Sequence, residues 1–195
     1  TTELFNFPFV DRIYERDAIN NFFNIKKETT LWIKGSSGFG KTTFFNYMYE
    51  NWNQYSLCYI NIKTDDTSKE VITNFILQLQ YKKIYNTMSD DLKKITEQVF
   101  PQISNIVSLL LDAGNVVIKS NEKNENNIDI ITSYIKEILN NKKLCICIDN
   151  FSRCDLATAS IFIKIFKTFL NYDNFRSCII TTTEELSDKL KEEIY

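Results

Sequence analysis

Residues 35–42 read Gly-Ser-Ser-Gly-Phe-Gly-Lys-Thr, a glycine-punctuated run that delivers a lysine and a threonine side by side. This is the pattern G-x-x-x-x-G-K-[ST], the phosphate-binding loop of nucleoside triphosphatases. At average residue usage its four fixed positions coincide in about 4 × 10⁻⁵ of windows, too rarely for coincidence to be the default reading. The chemistry accounts for the residue types. Glycines at 35, 38 and 40 allow positive φ and a close approach of the backbone to phosphate oxygens, with no Cβ in the way. Successive amides and the N-terminus of the next helix then form an anion cradle. Gly35, Ser36, Ser37, Gly38, Phe39, Gly40, Lys41, Thr42 and Thr43 are therefore the expected nucleotide contacts in the loop. Lys41 is expected to reach the β- and γ-phosphates, and the Thr42 hydroxyl to ligate Mg²⁺. The bland alternative is a Gly-Ser turn that opens an ordinary helix.

Asp149 closes the apolar run Leu144-Cys145-Ile146-Cys147-Ile148. A phosphate loop needs an acidic residue at the carboxyl end of a nearby central strand to hold the metal, and Asp149 is expected to fill this Walker B position. An aspartate that merely caps the following turn is the competing reading. Thr181-Thr182-Thr183 ends a later strand. A hydroxyl there, such as that of Thr182, can meet the γ-phosphate or the attacking water, although threonine is also common in strands for its β-propensity alone. Lys41, Asp149 and Thr182 are thus expected to carry catalysis, with Thr42 and Asp149 holding the metal. Nothing in the chain matches the Asn-Lys-x-Asp tetrad by which many GTPases read guanine. Asn141-Lys142-Lys143-Leu144 lacks the aspartate and runs directly into the Walker B strand. ATP or ADP with Mg²⁺ is the expected ligand.

The elements that must hold these residues follow from hydrophobic periodicity. Thr30-Leu31-Trp32-Ile33 reads as a strand entering the loop, and Phe44, Phe45, Met48, Tyr49 and Trp52 have helical spacing after it. A helix is expected over 12–26, with Ile13, Ile19, Phe22 and Phe23 on one side. A strand at Leu57–Asn61 precedes a helix from Ser68 to Tyr85 whose core stripe is Ile72, Phe75, Ile76 and Leu79. Residues 90–113 read as one or two helices broken at Pro101, ended by Gly114 and followed by a strand-like patch at Val116-Val117-Ile118. Ser120 to Asn127 is polar and aperiodic, and reads as a loop before an amphipathic helix over 128–140. The run 144–148 suits a strand buried on both faces. A helix from about Asp155 to Asn171, a strand from Ser177 to Thr182 and a helix from Glu184 complete the chain. This alternation predicts an α/β fold with a parallel sheet.

Composition bounds the reading. A chain of 195 residues, 44% hydrophobic and 25% charged, fits one ordinary soluble domain. No apolar run approaches the ~18–20 residues of a membrane span, and the N-terminus has no signal-peptide pattern. The chain begins at Thr1 rather than Met and is read as a piece of a larger multidomain protein. A net charge of −2 gives no global reason to expect nucleic-acid binding, which leaves only a local basic patch to support it. The five cysteines are an odd number, and three lie in apolar strand-like runs, as expected of reduced, buried thiols in a cytosolic protein. Cys145-x-Cys147 puts two thiols on one strand face, but the chain has no histidine. That absence excludes Ser-His and Cys-His catalysis within it.

Three further segments carry a family resemblance. Phe9-Val10-Asp11-Arg12 followed by Glu15 resembles the "F-[VF]-[DG]-R-E-x-E" signature of AAA+-related ATPases, and above all that of archaeal-type ATPase domains and the STAND signalling ATPases. Ile148-Asp149-Asn150-Phe151-Ser152-Arg153 is similar to the extended Walker B "I-D-D-L-D-R" of NACHT and KAP proteins. Ile179-Ile180-Thr181-Thr182-Thr183 resembles the "I-I-T-T-R" sensor strand of STAND proteins, NB-ARC domains included. The resemblance spans residues 9–183 and implies a P-loop three-layer αβα sandwich of about five mainly parallel strands. A helical insertion would occupy residues 86–127, before the Walker B strand.

It also implies that Val10 and Arg12 lie near the adenine. ATP/ADP exchange would switch a larger protein between resting and oligomeric states, so self-association or neighbouring domains of that protein are the implied partners. Winged-helix and lid regions would then follow residue 195. The departures concern catalysis. Asn150 and Ser152 stand where relatives carry acidic residues, Thr183 replaces the sensor arginine, and Ile13 stands where the signature often has its first glutamate. Unless another carboxylate substitutes, Asp155 being the nearest candidate, water lacks a positioned base, and slow hydrolysis with intact binding is expected. Arg153 and Arg176 read as solvated salt-bridge partners or as arginine fingers. The alternative functions are an AAA+-like ATPase acting on DNA, as in replication initiators, and a degenerate loop that holds nucleotide only for stability.

Overall fold

The continuous apolar run 144–148 becomes a central strand of the sheet, because only a strand covered on both faces can bury every side chain in turn. The computed structural model describes residues 13–24, 30–50, 54–81 and 126–182. In chain order these form α1 (Ile13–Asn24), β1 (Thr30–Lys34), α2 (Lys41–Glu50), β2 (Tyr55–Asn61), α3 (Ser68–Tyr81), α4 (Asn126–Asn141) and β3 (Lys143–Asp149). A 3₁₀ turn (Phe151–Arg153), α5 (Leu156–Thr168) and β4 (Phe175–Thr181) follow. The strands make one sheet in the order β1-β4-β3-β2, and every pairing is parallel. All of β4 and all but the first residue of β3 are buried.

The order explains the layers. The chain crosses the whole sheet from β1 to β2 and then returns strand by strand through β3 to β4. Crossovers of one hand made in opposite directions lie on opposite faces. Leu144, Ile146 and Ile148 of β3 pack with the apolar stripes of α3, α4 and α5. Cys145 and Cys147, their alternating neighbours, pack on the other face with Ile19, Phe22 and Phe23 of α1 and with Phe44 and Phe45 of α2. Helices thus cover both faces of the sheet.

The alternation of elements is as expected, with shifted ends. β2 begins at Tyr55, two residues before the predicted strand, and β4 begins at Phe175 instead of Ser177. α4 already includes Asn126 and Asn127, which the polar composition had placed in a loop. α5 spans Leu156–Thr168, inside the predicted range. Four strands are found among the described residues, against about five implied by the resemblance. The readings for 90–113, Gly114, Val116–Ile118, the loop up to residue 125 and the helix from Glu184 lie outside the described residues. Among the described residues no helix is long and apolar enough to cross a membrane.

Candidate functional site

β1 delivers the glycine-rich loop at the carboxyl end of the sheet, where Lys34 is in register with Thr181 of β4. Phe39 N–H donates to Ser36 O at 3.4 Å, and Phe44 N–H to Gly40 O at 2.8 Å as α2 starts. Gly38 and Gly40 have φ of 81° and 69°, left-handed conformations that a side chain would strain. Gly35 does not share this conformation, contrary to the sequence expectation. A Cβ on Gly35 would lie 3.5 Å from Lys41 Cδ, so this glycine lies where the lysine stem passes back over the loop. The Lys41 ammonium donates to Gly35 O at 2.7 Å and to Ser36 O at 2.8 Å. The cation is therefore folded back onto the first two carbonyls of the loop. Ser36, Ser37, Phe39 and Thr43 are exposed.

Asp149 stands at the end of β3, beside the loop strand's neighbour β4, and is only 2% exposed. Thr42, the second residue of α2, donates its hydroxyl to Asp149 Oδ2 at 2.6 Å. Tyr59 of β2 donates its phenol to the same oxygen at 2.6 Å. Asn150 N–H donates to Oδ1 at 2.8 Å. A buried carboxylate is costly without such donors. Burial, and after it the hydrogen bond to Asp149, push the Tyr59 phenol well above its usual range, so it remains a donor at neutral pH. Asn150 adopts the left-handed region (φ 56°, ψ 39°), which asparagine tolerates better than most residues. Its side-chain amide donates to Asn61 Oδ1 at 2.8 Å, tying the strained residue to the end of β2.

Thr182 is brought to the same end of the sheet, and its hydroxyl lies 3.5 Å from that of Ser152. Asp155, the nearest candidate base in the sequence, has partners of its own. It caps α5 by accepting from Thr158 N–H at 2.7 Å, and it also accepts from the Ser68 hydroxyl. Arg153 is exposed and donates to Ile62 O at 3.3 Å. Arg176 overturns the reading of a solvated salt bridge. It is 2% exposed and donates to the carbonyls of Phe22, Asp173 and Phe175 near the start of β4, the opposite end of the sheet from the loop. Val10, Arg12 and Thr183 lie outside the described residues. Burial raises the thiols of Cys58, Cys145, Cys147 and Cys154, which keeps them protonated.

The family described as "Nephrocystin 3, N-terminal" matches residues 10–183. The chain belongs to that family. No curated protein matches the chain. For this nephrocystin 3 N-terminal-type chain the donor set fits a phosphate group with its divalent cation. The loop has two left-handed glycines, a lysine ammonium bonded to its first carbonyls and, at the helix that follows, a hydroxyl–carboxylate pair. Lys41 can hold phosphate oxygens, while Thr42 and Asp149 can hold the metal. Sequence reasoning missed Tyr59 and Asn61. Both are strand residues, and only the β2–β3 register reveals their place: Tyr59 opposite Cys147, and Asn61 opposite Asp149.

Proposed function

We propose that this chain is an ATP- and ADP-binding switch domain of the STAND signalling or defence type. In this reading Mg²⁺-dependent hydrolysis is slow, and its output is a conformational change coupled to self-association or to neighbouring domains. The observation that carries the reading is the Thr42–Asp149 contact, which joins the start of the loop helix to the end of β3 across 107 residues of sequence. A capping aspartate has no need of that partner. Lys41 would bind the β- and γ-phosphates, and Thr42 and Asp149 would hold Mg²⁺, which when bound neutralises phosphate charge. Ser152 and Thr182 can orient a water molecule through their hydroxyls, but neither is a base, and Asp155 is committed to its helix cap. A ligand shifts such a switch by its differential affinity for the two states and not by fast turnover.

The test is chromatography of the nucleotide released when freshly purified protein is denatured. Stoichiometric ADP is the expected result. Release of guanine nucleotide would refute the adenine reading. If the site comes out empty, and added ATP or ADP gives no melting shift, the proposal fails altogether.

Asp149→Ala separates metal binding from phosphate binding. It should weaken Mg²⁺ affinity about 10- to 100-fold, as losses around metal ligands do. Nucleotide binding in EDTA should persist, as read by titrating a fluorescent ATP analogue. Equal losses with and without Mg²⁺ would instead make Asp149 a purely structural cap.

A further inference from the structure

We infer that Tyr59 is a positioning residue for the metal site, fixing which lone pair of Asp149 faces a hydrated divalent cation. The inference rests on the nucleotide-site reading above. A carboxylate offers about four lone-pair positions. Thr42 and Tyr59 occupy both positions on Oδ2, and Asn150 N–H takes one on Oδ1. The described residues therefore leave one acceptor position, on Oδ1. Mg²⁺ gives up its waters reluctantly, and one of those waters can donate to that position.

The placement of Tyr59 supports this role over simple packing. Tyr59 pairs with Cys147, two residues before Asp149 on the same face of the sheet. That diagonal offset is within reach of an aromatic side chain. The ring packs in the apolar cluster of Phe44, Phe45 and the strand cysteines, where phenylalanine would serve equally well. A hydroxyl in such surroundings costs stability unless it is used. Here it is used on Asp149, the carboxylate that also bonds Thr42 at the start of the loop helix. Without it, a position on Oδ2 opens, the terminal torsion of Asp149 is broad, and either oxygen can turn toward the cation.

The experiment titrates a fluorescent ATP analogue into the wild-type chain and into Tyr59→Phe, Tyr59→Leu, Asp149→Ala and the Tyr59→Phe/Asp149→Ala pair. Each titration is run in Mg²⁺ and in EDTA, beside a thermal melt. The wild type should bind more tightly in Mg²⁺. Tyr59→Phe should keep its affinity in EDTA within about twofold and lose roughly tenfold of the Mg²⁺ tightening, the scale of one hydrogen bond to a charged group. Tyr59→Leu, with different packing, should lose the same tightening, because both variants lack the hydroxyl. In the Asp149→Ala background Tyr59→Phe should change nothing further, the signature of action through Asp149. Wild-type tightening in Tyr59→Phe, or equal losses in both buffers, would overturn the inference and leave the nucleotide reading intact. Failure of the wild type to bind in either buffer would overturn both.

Discussion

Lys41→Ala is expected to remove nearly all of the melting-temperature rise that ATP should give the wild-type chain if the proposed function holds. The ammonium bonds the loop carbonyls of Gly35 and Ser36, where in the proposed reading a phosphate would meet both the loop amides and a full positive charge. Charge-assisted hydrogen bonds contribute about 1.5–3 kcal/mol each, so one lost partner weakens binding by about 10- to 150-fold. At a ligand concentration of ~100 times Kd, binding stabilises the fold by about 2.7 kcal/mol, and a hundredfold weaker site leaves only ~0.4 kcal/mol. For a domain of this size that is the difference between a rise of roughly 5–11 °C and one of about 1 °C. Without nucleotide the variant should melt within a few degrees of wild type, because a partly exposed side chain adds little to folding. A full ATP-induced rise in Lys41→Ala would disprove the phosphate-loop assignment.

Much of this site was legible because its chemistry is local. A tightly turned loop announces itself through glycines at fixed spacing, and Gly38 and Gly40 do take left-handed conformations. The continuous apolar run 144–148 correctly marked a doubly covered strand, which placed Asp149 at its end. Tyr59 was not legible. In sequence it is one aromatic among apolar neighbours, and its hydroxyl acquires meaning only when β2 pairs with β3 in one particular register. Asn150 gave a partial signal, since asparagine after a strand suits a left-handed turn, but its bond to Asn61 spans 89 residues. The layer assignment was hidden for a similar reason. Periodicity shows that a helix has an apolar side, while the strand order decides which face of the sheet receives it.

Arg176 was misread because arginine is normally solvated and because the expected strand began only at Ser177, and the correction yields the second large prediction. Its Nε donates to Phe22 O at 2.8 Å in the last turns of α1. Its Nη1 donates to Phe175 O at 2.7 Å and to Asp173 O at 3.1 Å, and the guanidinium lies 5.8 Å from the centre of the Phe22 ring and 5.7 Å from that of Tyr55. The side chain therefore fastens α1 to the entrance of β4. Arg176→Ala would strip three carbonyls of a donor and open a cavity, at a cost of about 3–5 kcal/mol. The melting temperature should fall by roughly 6–20 °C for a domain of this size. Arg176→Lys should recover only part of the loss, because a single ammonium cannot span carbonyls that a planar fork reaches together. Nucleotide affinity per folded molecule should be unchanged, since the residue lies at the far end of the sheet from the loop. An unchanged melt with weakened ATP binding would reverse this assignment and return Arg176 to the role of an arginine finger. One reading makes the cation a clamp of the fold and the other a nucleotide contact, so a melt and a titration on one variant decide between them.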